Sequence, residues 1–274
     1  MADRKHNPLP GFGLTMGFTL FYLSAVVLIP LAALALRSSE LSLSDFWRLA
    51  TTNQAPAAFR LTFGASFIAA VLNAIFGTLL AWVLTRYEFP GRRLLDALVD
   101  FPFALPTAVA GLTLANLFAP NGWLGQFLVP LGIKGAYSQL GVVIALTFTG
   151  LPFMVRTLQP VIENIETEIE EAAATLGAGR GRVFVSVLAP MLFPPMLTGF
   201  ALSFGRAIGE YGSVVFISGN LTGKTEIAPM LVVKRLEAYD YPGAMALAVI
   251  LLVVSFVLLA LINTLERWTR RFER

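Results

Sequence analysis

Glu171-Ala172-Ala173-Ala174-Thr175-Leu176-Gly177-Ala178-Gly179-Arg180-Gly181-Arg182-Val183-Phe184-Val185-Ser186-Val187-Leu188-Ala189-Pro190 is a polar, glycine-broken stretch lying between two long apolar runs. The residues leading into it are acidic: Glu163, Glu166, Glu168, Glu170 and Glu171, with no Lys or Arg among them. A chain that holds such a piece in water between lipid-soluble segments presents it to something other than lipid. The fold follows from what surrounds this stretch.

Of 274 residues, 56% are hydrophobic and only 14% charged, and the mean hydropathy is +0.72. Soluble domains carry about 25% charged residues. This chain lacks the polar surface to cover itself in water and is expected to be an integral membrane protein. Cysteine is absent, which excludes disulfides and thiolate metal sites. The single histidine, His6, sits in the N-terminal tail, so no His-based metal site or catalytic triad is expected. The net charge is +3, with basic residues gathered near the ends of apolar runs rather than on one face. That pattern signals topology and gives no nucleic-acid footprint. No catalytic residue, metal or cofactor is expected.

A helix crossing a hydrocarbon core of about 30 Å needs roughly 20 mostly apolar residues. Six runs qualify: Leu14–Leu36, Leu61–Leu84, Ala97–Phe118, Leu140–Leu158, Met191–Ile217 and Gly243–Thr264. Helices are forced because unpaired backbone groups in lipid cost several kcal/mol each. No run alternates strictly between apolar and polar, which argues against a β-barrel. The expectation is an all-α, polytopic membrane protein with six transmembrane helices. Ala33-Leu34-Ala35 resembles a signal-peptidase site, but the apolar core before it exceeds the roughly 7–15 residues of a signal h-region.

With six spans both termini share a side. Residues 1–13, 85–96, 156–190 and 265–274 then hold 12 Lys/Arg, against 7 in the equally long set 37–60, 119–139 and 218–242. Arg86, Arg92, Arg93, Arg180, Arg182, Arg267, Arg270, Arg271 and Arg274 carry the bias. The positive-inside rule places both termini and the Glu171 stretch in the cytoplasm.

Ile162, Ile165, Ile169, Ala172, Ala173 and Leu176 recur at intervals of three and four, which predicts one apolar helix face, with Glu163, Glu166 and Glu170 turned to water. Gly177 suits the left-handed position that ends a helix, and a second helix is expected from about Arg180 toward Pro190. An amphipathic helix lying on lipid is one reading. Such helices carry Lys and Arg on their polar face, whereas this one is acidic and would be repelled by anionic headgroups. Docking to a protein fits the charge better.

Glu171-Ala172-Ala173, Gly177 and Pro190 resemble, in residue and spacing, the Glu-Ala-Ala loop of bacterial ABC importer permeases. Val187 and Ala189 depart from that pattern, where Ile and Leu are usual. Two longer stretches, Leu84 to Arg92 continuing into Asp100 to Leu112, and Arg206-Ala207-Ile208-Gly209-Glu210-Tyr211 through Asn220, look like the T-type permeases of sulfate/thiosulfate importers. The resemblance runs from about Leu9 to about Arg267. It implies a type I ABC importer transmembrane fold in the bacterial inner membrane. It also implies pairing with a homologous W-type permease, a dimeric cytoplasmic ATPase below and a periplasmic sulfate-binding protein above. Glu171, Ala172, Ala173, Gly177 and Pro190 are then the ATPase-coupling residues. The implied organisation is residues 1–60 as tail, first span and first periplasmic loop, 61–264 as permease core with the coupling loop at 163–190, and 265–274 as cytoplasmic tail. A molybdate permease is the nearest rival within the family. An ion-gradient-driven secondary transporter is the rival outside it, but that class favours inverted repeats and relays of ionisable residues.

Ionisable groups inside a span are functional candidates by default. Asp100 falls near the cytoplasmic end of the third run, and Arg156 at the end of the fourth, where it can snorkel to the surface. Arg206 and Glu210 lie well inside the fifth, four apart on one helix face. Either Arg206 faces the pathway as an anion-binding guanidinium, or the two form a neutralised pair that fixes packing. Pro102, Pro106, Pro152, Pro194 and Pro195 are expected to interrupt runs three to five, as broken helices often mark a pathway. Gly111, Gly150, Gly199, Gly205, Gly209 and Gly212 are expected at close helix contacts. Gly219-Asn220-Leu221-Thr222-Gly223-Lys224-Thr225 nearly reads as a phosphate-binding loop, but it has one residue too few between its glycines and lacks a preceding strand.

Overall fold

The computed structural model describes residues 11–38, 41–51 and 54–269; the tail readings on His6 and on Arg270, Arg271 and Arg274 lie outside them. Among the described residues the fold is helical, with no strand. Five helices are long and apolar enough to cross a membrane: α1 (Phe12–Ser38), α3 (Gln54–Arg86), α8 (Gln139–Glu163), α10 (Arg180–Ile208) and α13 (Tyr241–Thr269, apolar through Leu265). Between them lie α2 (Leu43–Thr51), α4 (Arg92–Val99), α5 (Phe101–Ala104), α6 (Thr107–Phe118), α7 (Gly125–Leu128), α9 (Thr167–Thr175), α11 (Gly212–Ile217) and α12 (Ala228–Glu237).

The third apolar run is not one rod. Leu105 precedes Pro106 and is driven into an extended conformation (φ −85°, ψ 136°), because the proline ring excludes the helical region for the residue before it. What remains apolar and helical is α6, whose 12 residues rise about 18 Å, less than the hydrocarbon thickness. The fifth run is also redrawn. Its helix starts at Arg180, well before Met191, stops at Ile208 and resumes as the separate α11 after a break at 209–211. Pro152, Pro194 and Pro195, by contrast, sit inside continuous helices. Neighbouring helices can re-satisfy the backbone groups a proline frees, so proline alone did not mark the breaks. Both π turns, Ser24–Leu28 and Phe184–Leu188, end two residues before a proline, Pro30 and Pro190, which has no N–H to continue the regular ladder.

The centre of the bundle is α3, α8 and α10, which pack on one another more extensively than any other elements. The α3 face turned to the other two is built from small residues about one turn apart, Ala65, Ala69, Asn73, Gly77 and Ala81, all buried. Ala58 instead clusters with Leu231 of α12 and Leu247 of α13, and the Thr62 hydroxyl accepts from the Ala228 N–H. Small side chains let helix axes approach, which is how helices associate in lipid without a hydrophobic drive. Two layers show this in detail. In one, Met154 of α8 inserts between Gly77 and Gly199; a Cβ at either glycine would lie 2.7 Å from its side chain. One turn away, the Asn73 amide donates to Ser203 Oγ at 2.9 Å across Gly150, where any side chain would strike both.

A second tight contact joins α6 and α11. A Cβ at Gly111 would collide with the backbone of Ser213, and one at Gly212 with the Thr107 hydroxyl. Four of the six glycines expected at close contacts are therefore found there. Gly205 meets Leu259 only at ordinary van der Waals distance, and Gly209 has open space, since it lies in the break after α10.

Gly111→Ala should lower the thermal stability of the purified protein in detergent by about 1–3 kcal/mol, the range for overpacking a closed contact, while Gly209→Ala should leave it nearly unchanged.

Candidate functional site

Helix α8 runs past its last buried leucine, Leu158, as far as Glu163, and a turn at 164–166 leads into α9. Glu168 and Glu170 occupy the first turn of α9, where carboxylates favour the helix dipole. Gly177 ends it with φ +85°, a conformation costly to any residue with a Cβ. Gly177 N–H donates to Ala174 O at 2.9 Å and Ala178 N–H to Ala173 O at 3.1 Å, which makes a Schellman turn. Helix, glycine turn and second helix thus stand where the spacing predicts them.

The faces differ from the expected ones. Ile162 and Ile165 are buried, but Ile169 is exposed and Leu176 is 89% exposed. The turn at 164–166 resets the helical phase, so the six apolar positions never shared a single helix. Glu171, Ala172 and Gly177 are exposed with Leu176 at the tip, whereas Ala173 turns inward against the cluster of Leu84, Leu158, Ile165 and Val183. Pro190 is exposed but belongs to α10, beyond the π turn. Glu170, expected to face water, reaches back to Arg86 at 2.7 Å.

Arg206 and Glu210 do pair, at 2.5 Å, although Glu210 lies beyond the end of α10 in the 209–211 break. Glu210 is 2% exposed. Its Oε2 faces the guanidinium, and its Oε1 accepts from both the N–H and the hydroxyl of Ser213, each at 2.9 Å. The carboxylate therefore caps α11 as well as neutralising Arg206, and both its oxygens are engaged. The Arg206 side chain keeps about a third of its surface open (35%).

Three features escaped the sequence reading. Arg156 does not snorkel. Its Nε and one terminal nitrogen grip Asp100 at 2.8 and 2.6 Å, and the other terminal nitrogen bonds Asp96 at 2.7 Å and also Gln159. This ties α4, and Asp100 at its junction with α5, to α8. The Gln159 amide, and after it Arg156, holds the Asp96 carboxyl below its usual range. The bonus this gives folding is present above the ordinary carboxylate pKa and is lost as pH falls through the lowered value. Glu226, only 1% exposed in its side chain, meets Lys234 of α12 at 2.5 Å. Finally, a groove of about 590 Å³ opens between α3, α8 and the 218–227 loop, with Arg60, Gln139 and Lys224 on its polar rim and Leu61, Gly64 and Val143 within. Charges this far apart in sequence leave no periodic signal. The phosphate-loop lookalike is a turn between α11 and α12, with Gly219, Asn220 and Gly223 at positive φ.

Comparison with known proteins places this geometry. The family described as binding-protein-dependent transport system inner membrane component matches residues 73–271. The sulfate transport system permease protein CysT of Salmonella typhimurium is 50% identical over 272 residues, 99% of this chain and 98% of that one. Its Escherichia coli K12 namesake is 49% identical over 271 residues, 98% of each chain. The Synechocystis protein of that name is 51% identical over 254 residues, 93% of this chain and 89% of its own. Among solved structures, a bacterial ABC transporter importing the acidic polysaccharide alginate superposes with TM-score 0.77 at 16% identity, covering 94% of this chain and 96% of that one. The inward-facing MetNI methionine transporter gives 0.56 at 18%, covering 85% and 100%. At those identities the structural likeness speaks for the fold.

Arg156→Ala should destabilise the protein by about 1–2 kcal/mol, because it leaves two half-exposed carboxylates facing each other. Arg156→Lys should recover only part of this, as a lysine lacks the two-pronged grip on Asp100. Thermal unfolding of the three proteins measures both.

Proposed function

The chain belongs to the family of binding-protein-dependent transport system inner membrane components, and from that premise we propose that it is the membrane permease subunit of an ATP-driven sulfate/thiosulfate importer. It is a transport component rather than a catalytic protein. The observation that carries the substrate class is likeness over nearly the full length, at half identity, to proteins named as sulfate transport permeases. The groove rim of Arg60 and Lys224 suits an anion approaching from that end of the bundle.

In this reading α4, α5 and α6 together make the sixth crossing, both termini and α9 face the cytoplasm, and the 61–264 segment is the permease core. A second, W-type permease completes the pathway, a dimeric ATPase binds the α9 tip, and a periplasmic sulfate-binding protein delivers the anion. The ATPase supplies the nucleotide sites, and this chain turns its motion into alternating access. The exposed tip of Glu171, Ala172, Leu176 and Gly177 favours a protein partner. Its alanines and glycine let a partner's backbone come close, and an 89% exposed leucine in water is best explained by a surface that covers it. Ala173 and Ile165 pass displacement of the tip into the cluster shared by α3, α8 and α10. Arg206, with its guanidinium part open, is assigned to the pathway and Glu210 to holding it in place.

Cells or vesicles carrying the full set of subunits should accumulate labelled sulfate, with thiosulfate competing more strongly than molybdate. Accumulation that persists without the ATPase subunit would sink the proposal. For the pathway assignment, Arg206→Ala should abolish uptake while the complex still assembles. The double variant R206A/E210Q should do the same, although it leaves no buried charge unpaired. Loss of assembly in both would mark the pair as a packing device.

A further inference from the structure

Arg86 closes α3, and its guanidinium is held on two sides. Glu170 of α9 lies 2.7 Å away, with the two side chains 18% and 32% exposed. On the other side Cζ sits 5.2 Å from the ring centroid of Trp82, one turn back on α3. Trp82 in turn meets Phe184 of α10 edge-on, with centroids 6.0 Å apart. A guanidinium held over an indole and charge-paired with a carboxylate in partial shelter is a stronger link than an exposed ion pair.

The position of this link matters because α9 has little else holding it. It is bounded by the non-helical 164–166 turn on one side and by the Gly177–Gly179 connection on the other. Among its described contacts with the bundle, Ala173 supplies the apolar packing and Glu170 the ion pair. The neighbouring residue, Glu171, points its side chain to solvent. Adjacent carboxylates thus face opposite ways, one toward the permease and one toward whatever seats on the tip. At the far end of the link, α3 is the helix that packs most closely on both α8 and α10 and carries the buried Asn73.

We propose that the Arg86–Glu170 pair is a positioning contact that locks α9 to the base of α3. Displacement of α9 then moves the three-helix centre instead of being absorbed by the turns that flank α9. This rests on the reading of α9 as the segment an ATPase subunit engages. The pair does not bind sulfate or nucleotide; it sets how much transport each ATP hydrolysed yields.

The test uses the complete complex, with both permeases and the ATPase, reconstituted in vesicles with the loaded binding protein. Arg86→Gln and Glu170→Gln should each leave the ATPase co-purifying and its basal rate unchanged. Sulfate accumulated per ATP hydrolysed should fall at least about fivefold, the lower end of typical coupling between sites. Arg86→Glu and Glu170→Arg should do the same, and the exchanged double variant R86E/E170R should recover much of the loss, which shows that the two side chains act on each other. A merely structural role would lower assembly and basal ATPase rate together with transport, not the yield per ATP alone. Wild-type yield in both glutamine variants overturns the inference, as does a folded double variant no better than its single parents. If the ATPase fails to co-purify with the wild-type protein, the reading of α9 falls and takes this inference with it. If it co-purifies and the glutamine variants transport normally, only the inference falls.

Discussion

Everything in this fold hangs on how closely α3, α8 and α10 approach one another. In lipid there is no gain from hiding apolar surface, since the surroundings are as apolar as the helices, so association rests on close packing and a few internal hydrogen bonds. Gly77, Gly150 and Gly199 supply the room, Met154 fills it, and Asn73 with Ser203 adds a hydrogen bond one turn away. Remove the room and the helices separate; the other elements then lose the frame they are mounted on. α9 is mounted on the end of that frame, and α6 and α11 on its side through the α8 surface.

Charge follows an equally strict rule. Among the described residues, five carboxylates at helix junctions have a counter-charge at contact distance: Glu210 with Arg206, Asp96 and Asp100 with Arg156, Glu226 with Lys234, Glu170 with Arg86. An unpaired charge in such surroundings is costly enough that the pairs act as fixed staples. They sit at junctions between elements: α10 with α11, α4 with α8, the 218–227 loop with α12, and α3 with α9.

The sequence made the class of fold plain. Runs of apolar residues of membrane length give helices, since backbone groups in lipid leave no other choice, and Gly177 marked its turn because left-handed backbone favours glycine. Less was readable where the outcome depended on contacts between distant segments. Prolines were expected to break helices, yet Pro152 and Pro194 did not and Pro106 did; the difference lies in what neighbouring helices supply. The apolar period across Ile162 to Leu176 misled because a turn at 164–166 shifted its phase, and a period has no means of registering a turn that contains no glycine or proline. The Arg206–Glu210 pair could be read because it is local, whereas Arg86–Glu170 and Arg156–Asp100 span long sequence distances and could not.

The Schellman turn at the end of α9 separates shape from surface. Its geometry comes from one glycine at positive φ and two backbone hydrogen bonds, none of which uses an exposed side chain. The outward residues at 171, 172 and 176 can therefore change without altering the direction in which the tip projects. A chain built this way can present a different surface at this tip by a handful of substitutions, with the mounting left intact.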